Sequence, residues 1–259
     1  MQALFGLHGK VALVTGGGRG IGRMIAEGFI AAGAARVYIA SRDSDALARA
    51  ADEISSAGRC VAIEADLATE AGCVALAEAI GSREAALDIL VNNSGASWSA
   101  PLESFPESAW DRVFQLNLKG PFFLSRAIAP LMRKASREGD PARIINIGSI
   151  AGEMAASMNT YAYGLSKGAV HQLTAMLAKE LAPNVSVNAL APGRFPTKMT
   201  KAISGDAARL AAEEAMIPLR RWGRPDDIAG AAIFLASAAG SYINGAIVPV
   251  DGGTLLVAA

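Results

Sequence analysis

Groups that bind transition metals are scarce here: the 259-residue chain has two histidines and two cysteines. His8 and His171 have no partner at ligand spacing. Cys60 and Cys73 match neither a metal motif nor a disulfide framework. No metal site is expected, and Cys60, which opens an apolar run, reads as a reduced, packed thiol. A charge excess is missing as well. Lys plus Arg, 24 residues, balance 24 Asp plus Glu, so the basic surplus of a nucleic-acid binder is absent. With 52% apolar residues, disorder is excluded too. The segment 1–10, interrupted by Gly6 and Gly9, is too short for a secretory signal. The one long uncharged stretch, residues 228–250, contains the turn sequence Gly240-Ser241-Tyr242-Ile243-Asn244-Gly245. It therefore reads as helix, turn and strand and not as a membrane span. The expectation is a cytoplasmic protein with no membrane or nucleic-acid partner.

What is present is a rhythm. Short apolar runs recur at residues 11–15, 36–40, 60–65, 89–92, 143–148, 185–190 and 246–250. Helix-length stretches lie between them, among them 20–32, 46–57, 70–82 and 119–135. This alternation predicts a single doubly wound α/β Rossmann domain over residues 1–259, with a seven-stranded, mostly parallel sheet and helices on both faces. Strands that are apolar throughout suit a sheet covered on both sides. No repeat, low-complexity tract or linker interrupts the pattern. Residues 133–141 read as a solvated helix end and loop.

The first run ends in Thr15-Gly16-Gly17-Gly18-Arg19-Gly20-Ile21-Gly22 and passes straight into an amphipathic helix. Glycines permit a tight turn and close backbone approach to a pyrophosphate, and a helix start adds free N–H groups and a favourable dipole. The spacing Gly-x3-Gly-x-Gly differs from the commoner Gly-x-Gly-x-x-Gly. Position carries the reading instead: first strand, first turn, helix immediately after. A plain tight connection is the alternative. The second run closes on Ser41-Arg42. An acidic residue at that place holds the ribose hydroxyl of NAD, whereas an arginine accommodates the 2′-phosphate of NADP. Ser41 and Arg42, with Arg19 as a second cation, favour NADP(H). Asp43 is the opposing signal, and an ordinary solvated Arg42 the opposing explanation.

Tyr163-Gly164-Leu165-Ser166-Lys167 puts a phenol and an ammonium on one helix face. A free phenol, with a pKa of ~10, is a poor base at neutral pH. A neighbouring ammonium lowers that value toward the range useful for proton transfer, and Lys167 also reaches a cofactor ribose. Tyr161 has no such partner, because residue 165 is Leu. Ser149 follows the fifth run, at the strand end where open α/β sheets place ligands. Its hydroxyl suits a substrate oxygen that gains charge; a helix cap is the other use for a serine there.

Adding Asn92-Asn93-Ser94-Gly95, Asn117, Pro192-Gly193 and Val250-Asp251-Gly252-Gly253, the ordered motifs resemble the short-chain dehydrogenase/reductase family along the whole chain. The resemblance implies that Asn117 holds a water linking Lys167 to solvent. It implies that Gly16, Gly18, Gly20, Ile21, Gly22 and Gly95 contact the cofactor, with Asn93, Asp66 and Leu67 on its adenosine side. Pro192, Gly193, Phe195 and Thr197 would border the nicotinamide, which Tyr163 and Lys167 also reach. Ser94 departs from the usual alanine. A homotetramer (or homodimer) is implied as well, and the sparsely charged helix 163–181 fits such an association.

Further strings narrow the resemblance: Ser97-Trp98, Ala162-Tyr163-Gly164, Ala191-Pro192-Gly193-Arg194-Phe195-Pro196 and Arg221-Trp222-Gly223-Arg224-Pro225. They look like the bacterial β-ketoacyl reductases, nearest the rhamnolipid-associated branch. That implies NADPH-dependent reduction of a 3-oxoacyl thioester. Trp98, Met154, Met158, Phe195, Met199, Ile203, Met216 and Trp222 flank the catalytic segments and would suit an acyl chain, or else simply pack lid and core. A lid is expected around residues 194–222. Arg133, Lys134 and Arg137 offer a docking patch to an acidic acyl carrier protein, against the plainer reading of a solvated surface. His171 is assigned to packing or a subunit contact. The rival activities are a dehydrogenase of polyols, sugar acids or steroid-like alcohols and a non-catalytic cofactor sensor; the intact set Asn117, Ser149, Tyr163 and Lys167 argues against the sensor.

Overall fold

The computed structural model describes residues 2–55, 57–155, 159–197, 200, 203 and 205–257. Its strands are β1 (Val11–Thr15), β2 (Arg36–Ser41), β3 (Cys60–Glu64), β4 (Ile89–Asn92), β5 (Ala142–Ile147), β6 (Val185–Pro192) and β7 (Ile247–Val250). They form one seven-stranded sheet in the order β3-β2-β1-β4-β5-β6-β7. Every neighbouring pair runs parallel, so the sheet has no antiparallel member among the described residues. The chain reverses its direction of winding between β1 and β4. At such a switch point the connections leave in opposite directions and open a crevice at the carboxyl ends of the strands.

Side chains alternate across the sheet with the strand period of two. From β1 and β2, Ala12, Val14, Val37 and Ile39 pack to one side, Leu13, Tyr38 and Ala40 to the other. The first side is covered by α2 (Gly20–Ala31), α3 (Ser44–Ile54) and α9 (Pro225–Ala236), which bring Ile25, Phe29, Leu47 and Ile228. The other is covered by α4 (Glu70–Gly81), α6 (Gly120–Ala135) and α7 (Tyr161–Leu181), which bring Leu76, Ile80, Leu124 and Leu181. Each large side chain buried this way contributes about 1.5–3 kcal/mol. The remaining helices are α1 (Gln2–Phe5), α5 (Glu107–Phe114), α8 (Ala207–Met216) and α10 (Thr254–Val257).

Two boundaries differ from expectation for visible reasons. Helix α3 starts at Ser44 and not at residue 46, because the Asp43 carboxylate caps it, accepting from the Ala46 N–H at 3.1 Å. Strand β6 runs on to Pro192, because β7 pairs with it through Ala191↔Pro249 and Pro192↔Val250. Residues 228–250 become α9, a 3₁₀ turn and β7, and no helix among the described residues is long and apolar enough to cross a membrane. Cys60 and Cys73 are buried and unpaired, and burial pushes both thiols up to about 11.

The amino ends of the strands are tied together by charge. Lys10 bridges Asp88 (3.3 Å) and Asp140 (2.8 Å), and the buried Arg143 holds Asp140 at 2.8 Å. Arg133 and Lys134 end α6 at this same edge, with Arg137 in the turn that leads into β5. They lie toward the end of the sheet opposite to Tyr163.

Candidate active site

The glycine-rich turn between β1 and α2 has the shape an anion needs. Gly16 and Gly20 adopt positive φ values of 66° and 54°, which favour glycine. A Cβ on Gly22 would lie 2.5 Å from the Gly16 carbonyl oxygen, and one on Gly17 would lie 2.4 Å from Ile39. Arg19 precedes α2 without a side-chain cap, leaving the first N–H groups of a 12-residue helix for a ligand. Asn93 braces the turn from β4, its amide donating to the carbonyls of Thr15 (2.8 Å) and Gly16 (3.3 Å). The Thr15 hydroxyl accepts in turn from the N–H groups of Asn93 and Ser94. The cradle fits a dinucleotide pyrophosphate.

Ser41 ends β2 beside this turn, and Arg42 follows it, exposed like Arg19. Asp43 is occupied as the α3 cap, which removes the acidic signal that competed with Arg42. Asp66 is exposed just beyond β3, its carboxylate closing the next turn by accepting from Ala68 N–H, and Leu67 is buried beside it. Gly18 and Ile21 are half-buried along the turn and the start of α2, and Gly95 lies against Asn117.

Ser149 stands just past β5 and Tyr163 in the first turn of α7. The Ser149 hydroxyl caps the 3₁₀ turn Ile150–Gly152, accepting from Ala151 N–H at 3.1 Å, and its hydrogen-bonding pull lowers the Tyr163 pKa. Burial pushes the Tyr163 phenol above its ordinary value, while the Ser149 hydrogen bond and the charge of Arg194 pull the other way. Lys167 is buried, donates to the Ile147 carbonyl at 2.6 Å, and is held down to about 8 by burial. Tyr161 is elsewhere, packed edge-on against Phe105.

Asn117 lies in a π-helical turn, Gln115–Lys119, between α5 and α6. Such single π turns are enriched at functional sites. Its side-chain oxygen accepts from Ala96 N–H (2.7 Å), and its amide donates to Ala96 O (2.9 Å) and Ser166 Oγ (3.0 Å). Ser166 Oγ donates to Tyr163 O at 2.7 Å. The side chain therefore clamps the segment after β4 to the helix bearing Tyr163. Its main-chain carbonyl would meet Pro121 at the α-helical position, and proline has no N–H to give.

Sequence reasoning missed a second clamp. A Cβ on Gly152 would lie 2.7 Å from the Gly168 nitrogen, and one on Gly148 would lie 2.2 Å from His171 Nε2. Two glycines thus let the Ser149 turn settle directly on α7, with the His171 ring filling the remaining space. Burial and the nearby Lys167 lower the His171 pKa, against an opposing pull from Glu153, 3.6 Å from Nδ1. The available signal was Gly148 and Gly152 on either side of Ser149.

Residues 16–254 match the family model described as enoyl-(acyl carrier protein) reductase. The chain belongs to the short-chain dehydrogenase/reductase family. It is 52% identical over 254 residues to the rhamnolipids biosynthesis 3-oxoacyl-[acyl-carrier-protein] reductase of Pseudomonas aeruginosa, covering 98% of this chain and 99% of that one. The solved Pseudomonas aeruginosa RhlG/NADP active-site complex superposes with a TM-score of 0.95 at 52% identity, covering 98% of this chain and all of that one (100%). A second kind of relative is the 2-dehydro-3-deoxy-D-gluconate 5-dehydrogenase of Pseudoalteromonas atlantica, 39% identical with 98% of each chain covered.

Within this short-chain reductase, the segment after β6 shows the packing alternative at Phe195. Phe195 is 2% exposed and packs on Gly223, where a Cβ would lie 2.3 Å from its ring, and Trp222 is buried too. Phe195 belongs to the core cluster on the α2 and α9 side of the sheet. The Phe195 carbonyl accepts from Thr200 Oγ1 at 2.7 Å. Thr197 approaches the phosphate turn, 3.4 Å from a Cβ placed on Gly20. Pro192 ends β6, and Gly193 presses on Asp251, where a Cβ would lie 2.8 Å from Cα. Trp98 is exposed, Met154 and Ile203 half-buried, and Met216 exposed at the end of α8. Met158 and Met199 lie outside the described residues.

Proposed function

We propose that the protein is an NADPH-dependent reductase of 3-oxoacyl thioesters, with Tyr163, Ser149, Lys167 and Asn117 as its proton-handling set. The observation that carries this reading is Tyr163 at the start of α7, with Ser149 just past β5 and the Lys167 ammonium 5.6 Å from the Tyr163 ring. One crevice away lies a glycine cradle beside Arg19, Ser41 and Arg42. The rhamnolipid-pathway relative, at 52% identity over nearly the whole chain, supports the acyl substrate and NADP as cofactor.

NADPH, when bound, supplies hydride to the carbonyl carbon. Ser149 Oγ donates a hydrogen bond to the carbonyl oxygen and stabilises the charge that gathers there. Tyr163 gives that oxygen its proton. Its raised pKa keeps the phenol protonated at neutral pH, the form that reduction consumes. Lys167 lies one helical turn on and takes the ribose, and a water on the Asn117 main-chain carbonyl returns the proton from solvent. Asn117 and Ser166 hold the Tyr163 turn still during this exchange.

The described residues of the region 194–222 are assigned to a lid over the substrate on the single domain. Exposed apolar side chains on α7, Leu165 and Met176, support self-association, read here as a homotetramer, and the enzyme is assigned to the cytoplasm. The test is NADPH oxidation by the purified protein with acetoacetyl thioester beside 5-keto-D-gluconate, each repeated with NADH. Fast turnover of the thioester with NADPH alone is expected. Turnover of the keto acid only would transfer the protein to the sugar-acid group.

A further inference from the structure

Arg194 follows Pro192-Gly193 directly, at the carboxyl end of β6, and its charge reaches the Tyr163 phenol. Its backbone is fixed, since Gly223 N–H donates to the Arg194 carbonyl at 2.9 Å. Its guanidinium is held two-pronged by Glu213 of α8, with Nε at 2.8 Å from Oε2 and Nη2 at 3.3 Å from Oε1. Both side chains are mostly shielded, 29% and 20% exposed. An arginine fork beside a reacting carbonyl is the standard way to hold a substrate carboxylate. Here the lid's own carboxylate occupies that fork.

We propose that the Arg194–Glu213 pair is a charge filter that selects uncharged acyl carbonyls over carboxylate-bearing keto acids, with Glu213 as the specificity-determining residue. The inference rests on the acyl-thioester reading and gives it a basis for specificity. A keto acid arriving beside Tyr163 finds the guanidinium already neutralised and meets the Glu213 carboxylate, whose repulsion is little screened in a partly buried site. A thioester carries no charge next to its carbonyl and meets neither obstacle. Removing the Glu213 charge lifts that repulsion and leaves the positive charge of Arg194 to favour an anion.

The test uses two ligands that differ by one charge, acetoacetate and methyl acetoacetate, titrated calorimetrically into the NADP⁺-loaded protein, where no reduction occurs. The wild type should bind the ester at least tenfold more tightly than the acid. Glu213→Gln should shrink that preference at least tenfold through tighter acetoacetate binding, and Arg194→Met in the Glu213→Gln background should restore it. Melting temperatures of the variants show whether each remains folded; if Glu213→Gln unfolds, Glu213→Ala takes its place. An unchanged preference in the folded Glu213 variant, or a wild type that binds the acid as well as the ester, overturns the proposal. So does a wild type that binds no ester. The thioester assay above can succeed while this preference fails to move, so the two readings fall separately.

Discussion

The ammonium of Lys167 lies 5.6 Å from the centroid of the Tyr163 ring and donates to the Ile147 carbonyl at 2.6 Å. It sits over the ring, where its charge favours the phenolate, while Ser149 and Arg194 also pull the phenol down against burial. Lys167 is itself a buried cation, held down to about 8 from 10.5 by burial alone.

A buried ammonium has a stability cost, and the sign follows from that depressed value. Below about 8 the folded state must carry the charge in a poor environment; as pH rises toward 10.5, the unfolded chain loses its proton too and the penalty disappears. The full penalty is about 3 kcal/mol, from which an orphaned Ile147 carbonyl takes back ~1 kcal/mol. Lys167→Met should therefore be about 2 kcal/mol more stable than the wild type at neutral pH while losing turnover. Denaturant melts at neutral and alkaline pH check this, and the gap should narrow at the alkaline end.

The raised phenol pKa sets the direction of the pH dependence. Reduction needs protonated Tyr163 and should stay level through neutral pH, then fall in the alkaline range. Alcohol oxidation needs the phenolate and should rise over that same range. Arg194→Met removes a charge that lowers the phenol, so both limbs should move to higher pH. Initial rates in each direction across pH measure the shift.

Much of this was legible beforehand. The seven strands follow from apolar runs too short for helices, and the cofactor turn from glycines placed between the first strand and helix. The π turn at Asn117 was not, because it depends on how α5 meets α6 and not on any residue pattern. Arg194 and Glu213 are 19 residues apart and joined only by tertiary packing. Phe195 and Trp222 flank the catalytic segments in sequence, which leaves pocket and core packing equally open; the room at Gly223 decides for Phe195, whose ring packs inward.

The Ser149 turn should be sensitive to a single methyl group. Gly148→Ala places a Cβ on the His171 ring at 2.2 Å, an overpacking that costs ~1–3 kcal/mol and shifts Ser149. Turnover should fall at least tenfold. His171→Ala in the same chain should recover part of both stability and rate, measured by thermal melts and steady-state kinetics.

Cofactor choice should reside in Arg42. With Asp43 committed to the α3 cap, Arg42→Ala removes a charge-assisted contact worth ~1.5–3 kcal/mol to a 2′-phosphate. The KM for NADPH should rise roughly tenfold to a hundredfold, an estimate from that energy. The KM for NADH should barely change.

Tyr163→Phe tests the central claim most directly. It deletes one hydroxyl and leaves the ring, the glycine cradle and the fold in place. NADPH binding, followed by fluorescence, should match the wild type, while reduction of acetoacetyl thioester should drop at least a thousandfold. Wild-type-like turnover in that variant would contradict the assignment of Tyr163 as the proton donor.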